Sequence, residues 1–72
     1  MKYDYPKAIL KLRVKLNISQ EELGQLLGVS FTSINRWENG HYEPTKLVKQ
    51  KLYDLFVDNN IELEDRKENV KP

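Results

Sequence analysis

Between Phe31 and Glu38 the chain reads FTSINRWE, and at about 100° per residue its side chains sort into two unlike sets. Ile34 and Trp37 fall together on one side. Phe31, Thr32, Asn35 and Arg36 collect on the other, with Asn39 just beyond and Ser33 at its edge. A helix face that meets only water usually carries Lys and Glu, which solubilise it and pair at i,i+4. This face instead carries short hydroxyls, amides, a guanidinium and a bare aromatic, which suits a partner better than water. Catalysis has little to work with. His41 is the one histidine, cysteine is absent and no glycine-rich phosphate loop occurs, so neither a Ser-His-Asp nor a Cys-His set can be assembled. The chain is read as not an enzyme. Structural zinc wants four Cys or His ligands, so no metal is expected, and no cofactor.

The elements that would position this face follow from spacing and punctuation. A first helix is predicted from about Pro6 to Leu16, with Ile9, Leu12 and Leu16 at helical spacing and Leu10 and Val14 widening the apolar stripe. Asn17 can close it in the left-handed region. The run SQEE is a capping box, Ser19 as N-cap with Glu22 three residues on. It opens a short helix that carries Leu23, Leu26 and Leu27 and ends at Gly28. Ser30 caps the third helix, which stops at Asn39-Gly40. After the loop HYEP, Thr45 caps a fourth over about 46–58, with Val48, Leu52, Leu55 and Phe56 inward. Residues 59–72 are charged and weakly apolar, and read as a mobile tail. The domain is thus drawn at 1–58.

Seventy-two residues make one small all-α domain with a single core. Its net charge of +1 is unevenly spread. Residues 1–18 have five basic side chains against Asp4 (+4), residues 19–43 have Arg36 against four Glu (−3), and residues 44–57 have three Lys against Asp54 (+2). Three basic against five acidic residues leave 58–72 at −2. The positive ends are compatible with touching phosphate without arguing for it alone. No apolar run approaches the roughly 20 residues of a membrane span, and Lys7, Lys11, Arg13 and Lys15 break any signal-peptide core. No membrane partner and a cytoplasmic location are expected.

Two short helices joined through Gly28 invite a positional test, because a helix-turn-helix needs one core between them. Leu23, Leu27, Val29, Ile34 and Trp37 have the spacing for it, Gly24 supplies a small residue at the closest approach, and Gly28 supplies the turn. With these residues in place, SQEELGQLLGVSFTSINRWENGHYEP resembles the phage-repressor-like (Cro/XRE-type) helix-turn-helix domain, and the flanking helices extend the similarity over about residues 7–57. The resemblance implies a compact lambda-repressor-like bundle of four helices, or five if Ile61, Leu63 and Val70 support a further one. Residues 20–38 would form the helix-turn-helix, and residues 31–38 the recognition helix in the major groove of double-stranded DNA.

On that reading Arg36 can fork onto guanine O6 and N7, and Asn35 can pair with adenine. Thr32 and Ser33 are less selective, and Phe31 either meets a thymine methyl or packs back against the turn or the second helix. Gln20, at the mouth of the second helix, would grip the DNA backbone. Asn39, Gly40 and His41 would offer backbone N–H groups to phosphate, with His41 equally readable as a plain loop residue, and Lys46 could anchor another phosphate. The resemblance also implies a structural tie between Arg13 and Glu38, which lies about 40° from Ile34 around the helix. Gly24 departs from the family's usual alanine, a helix cost of about 1 kcal/mol. The weak fifth helix leaves a monomer that pairs as a homodimer on DNA. A transcriptional regulator is the simplest function. The alternatives are a DNA-targeting module of a larger enzyme or toxin–antitoxin component, and a protein-interaction domain that has lost DNA binding.

Overall fold

The computed structural model describes residues 3–65. Four helices appear in the expected order: α1 (Tyr5–Leu16), α2 (Gln20–Leu27), α3 (Phe31–Glu38) and α4 (Lys46–Asp58). Local hydrogen-bond chemistry sets their ends. Asp4 opens α1 by accepting from the Lys7 N–H, and Asn17 closes it at φ +56°. The reciprocal capping box of Ser19 and Glu22 opens α2, with both bonds made, at 3.0 and 2.9 Å. Gly28 ends it in the left-handed region at φ +75°, where a side chain would be strained. Ser30 and Thr45 cap α3 and α4 through the N–H groups of Ser33 and Val48.

α3 lies between α1 and α2, and α4 closes the bundle against α1 and α2. The centre is apolar throughout: Ile9, Leu12, Leu23, Ile34, Leu52 and Phe56 are fully buried, and Leu27, Trp37 and Val48 surround them. Tyr5 and Ala8 join this core although periodicity had not singled them out. Leu10, Val14 and Leu26, by contrast, were expected to widen the apolar faces and instead stand exposed, Val14 at 72%. Helices this short cover only a narrow stripe of each partner, so residues at the rim of the stripe stay in water.

Two features go further than the sequence reading. A Cβ built at Gly24 would lie 2.6 Å from the carbonyl oxygen of Val29, closer than non-bonded carbon and oxygen approach. Glycine there is a packing requirement of the turn, whose Val29 N–H donates back to the Gly24 carbonyl at 2.9 Å. The second concerns residues 59–65, which return across α1 beyond the boundary drawn at 58. Ile61 and Leu63 pack on the core, the Asp4 N–H donates to the Glu64 carbonyl at 2.8 Å, and Tyr3 forms an isolated antiparallel bridge with Asp65. Glu64 pairs with Lys7 at 3.1 Å and Lys11 at 3.6 Å. No fifth helix occurs among the described residues, and the expectation for 66–72 lies outside them.

Candidate nucleic-acid interface

The surface in question is the side of α3 away from Ile34 and Trp37. Phe31, Thr32, Asn35, Arg36 and Asn39 are all exposed there, as are Gly40, His41 and Lys46 beside it. Ser33 is different. It is half-buried, its N–H bonds Ser30 Oγ, and its own hydroxyl lies 3.3 Å from that oxygen, so it serves the N-terminus of α3. Phe31 is 50% exposed. With Arg13, Ser19, Gln20 and Glu21 it borders a shallow depression where α2 begins.

The amides on this surface are held by a chain of hydrogen bonds that reaches into the domain. Glu38 takes a bidentate pair from Arg13, Nε to Oε2 at 2.6 Å and Nη2 to Oε1 at 3.0 Å. The expected tie is therefore present. Its hydrogen bond is the main cause that raises the Arg13 pKa above its ordinary value, so the guanidinium is charged at any relevant pH. Glu38 Oε1 also accepts from Gln20 Nε2 at 2.9 Å. Gln20 Oε1 accepts from Asn35 Nδ2 at 3.4 Å, and Asn35 Oδ1 accepts from Asn39 Nδ2 at 3.1 Å. Gln20 and Asn35 each keep a further donor proton and lone pair, because a carboxamide has two of each, whereas Asn39 Nδ2 also donates to the Asn35 carbonyl at 2.8 Å. Gln20 and Asn35 are thus oriented before any partner arrives.

The end of α3 differs from expectation in one respect. The N–H groups of Asn39, Gly40 and His41 were to be available for phosphate. They donate instead to the carbonyls of Asn35 (3.0 Å), Trp37 (3.1 Å) and Arg36 (3.0 Å), closing the orphan carbonyls every helix leaves at its C-terminus. What this loop leaves exposed is the side chains of Asn39 and His41. Lys46 stands exposed on the first turn of α4. Lys7, Lys11 and Lys49 are paired with Glu64 and Glu43, so part of the charge assigned to the first and last helices is already balanced.

Sequence reasoning missed two neighbours of this surface. Tyr42 places its ring beneath the Arg36 guanidinium, 5.3 Å from carbon to centroid. The signal was an aromatic just past the helix stop, but a loop residue has no periodicity to betray its contact. The Glu38–Gln20–Asn35 chain was also hidden, because it joins side chains on two different helices, 18 and 15 residues apart.

No helix among the described residues is long and apolar enough to cross a membrane. Comparison with the curated proteins and with the solved structures returns no match. The family model described as Helix-turn-helix matches residues 9–52, which spans α2, the turn and α3 with most of the two flanking helices. With more than half of the chain inside that match and the helix order it requires in place, the protein belongs to the Cro/C1-type helix-turn-helix family of DNA-binding domains.

Proposed function

We propose that this protein is a sequence-specific double-stranded DNA-binding regulator that inserts α3 into the major groove. The observation that carries the reading is the outward face of α3: Thr32, Asn35 and Arg36 exposed side by side, and free of the Lys and Glu of an ordinary solvated face. Arg36 takes both acceptors of one guanine, Asn35 meets a neighbouring adenine, and Thr32 and Phe31 sit at the leading end of the helix. Ser33 contributes less than its neighbours, since its hydroxyl bonds Ser30. Gln20 and Asn39 grip the sugar–phosphate backbone on either side, with the side chains of His41 and Lys46 following along the strand.

Two copies act on one operator. Leu47, Tyr53 and Val57 are exposed on α4, a contact too small for a stable free dimer by the usual interface sizes. Half-sites should then lie about one helical turn, roughly 34 Å, apart. Selection of bound sequences from random duplexes tests the reading. A defined motif with two-fold symmetry supports it. Uniform recovery of all sequences, or no binding at low salt, refutes it and favours a protein-interaction domain, for which the exposed Phe31 would be the anchor.

A further inference from the structure

The loop after α3 carries an exposed aromatic side chain, Tyr42. Tyr42 sits beneath Arg36 at 5.3 Å, and the backbone between the two is tied. Gly40 turns the chain at φ +76°. The N–H of His41 then donates to the carbonyl of Arg36 at 3.0 Å, so the residue before Tyr42 is bonded to the residue whose side chain Tyr42 supports. Two residues on, Pro44 is buried. The backbone is therefore held on both sides of Tyr42, whose side chain remains 61% exposed.

An arginine unsupported on a helix surface samples many rotamers and loses that freedom when it docks. A carboxylate partner would restrict it but would also occupy its fork. An aromatic face restricts the guanidinium through the ring quadrupole and stacking while leaving its N–H donors free. We propose that Tyr42 is a positioning residue for base recognition: it holds the Arg36 fork ready for guanine and thereby sets how strongly that base is preferred. The inference rests on the reading of Arg36 as a guanine reader. The ring does this work and the hydroxyl is not needed.

Binding profiles of the parent, Arg36→Ala, Tyr42→Ala and Tyr42→Phe, measured over all bases at the position Arg36 reads, test it. Tyr42→Ala should reduce the guanine preference about two- to fivefold, the range of an exposed cation–π contact, and leave the preferences at other positions unchanged. Tyr42→Phe should keep the parental profile. In the free protein, the Arg36 δ-protons should show a ring-current shift in the parent and Tyr42→Phe that Tyr42→Ala abolishes. If Arg36→Ala loses the guanine preference but Tyr42→Ala keeps it, the positioning role is wrong while the DNA reading stands. If Arg36→Ala itself keeps the profile, the underlying reading has failed. Equal weakening on every sequence, or a Tyr42→Phe that behaves like Tyr42→Ala, would assign Tyr42 to the phosphate backbone and overturn the proposal.

Discussion

Removing Glu38 should destabilise the domain more than removing Arg13, and the two losses should not add. Glu38 accepts three hydrogen bonds from two elements, two from Arg13 and one from Gln20. Arg13 retains a separate bond to the Ile18 carbonyl at 3.2 Å. The two side chains are 19% and 11% exposed, which places the pair between surface pairs, worth about 0–1 kcal/mol, and buried ones, whose breaking costs about 3–5. Glu38→Ala leaves a largely desolvated guanidinium with the Ile18 carbonyl alone, and should cost about 2–3 kcal/mol. Arg13→Ala leaves a carboxylate still bonded to Gln20, and should cost about 1–2. The coupling energy from the double mutant should be about 1–2 kcal/mol. For a chain of this size such losses are a large fraction of total stability. Urea denaturation at unchanged m gives each value from the midpoint shift. Strictly additive losses would mean the two side chains do not interact in solution.

Three further outcomes are expected. Gly24→Ala should destabilise by about 1–2 kcal/mol, since overpacking against the Val29 carbonyl outweighs the gain of about 1 kcal/mol in helix propensity; a more stable variant in the same urea assay would show that the turn yields instead. Gln20→Ala should weaken DNA binding about equally on all sequences and leave the salt slope nearly unchanged, because a neutral phosphate contact positions without reading and releases no counterion; an altered motif in site selection would contradict this. Lys7, through its hydrogen bond first and its charge second, and Lys11 after it hold the Glu64 carboxyl below its ordinary 4.5. A carboxyl whose folded pKa is depressed contributes stability that is present above the unfolded pKa and lost as pH falls through the folded one. The Glu64 carboxyl resonance should therefore titrate below 4.5, and Glu64→Gln should remove that acid-side change; a midpoint at or above the ordinary value would mean the return of residues 59–65 over α1 is not held by these lysines.

Much of the fold was legible because its punctuation is local. Ser19 with Glu22, Ser30, Thr45, Asn17 and Gly28 each act on backbone groups within four residues, so residue type alone announces them. Burial was less so. Periodicity gives the direction of a face but not its width, and Leu10, Val14 and Leu26 lie at the rim of their faces and stay exposed. Residues 59–65 were missed for a related reason: Ile61 and Leu63 alternate with Glu62 and Glu64, the pattern of an extended segment rather than a helix. Gly24 shows the limit of propensity, since a turn carbonyl 2.6 Å from its would-be Cβ decides the residue. Of the candidate site, the exposed face of α3 and the Arg13–Glu38 tie could be anticipated. The use of the Asn39, Gly40 and His41 N–H groups within the helix end could not, because it depends on how α3 closes in three dimensions.

Whether the Arg36 fork reads a guanine edge in the major groove can be tested at a single atom. In the selected site, the guanine assigned to Arg36 is replaced by 7-deazaguanine, which keeps base pairing and O6 but lacks the N7 acceptor. The parent protein should bind this duplex about tenfold more weakly, the order of one hydrogen bond to a charged group. Arg36→Ala, already deprived of the contact, should bind both duplexes equally. A parent indifferent to the substitution at every guanine of the site, or an equal loss in both proteins, would mean that Arg36 does not read a guanine N7.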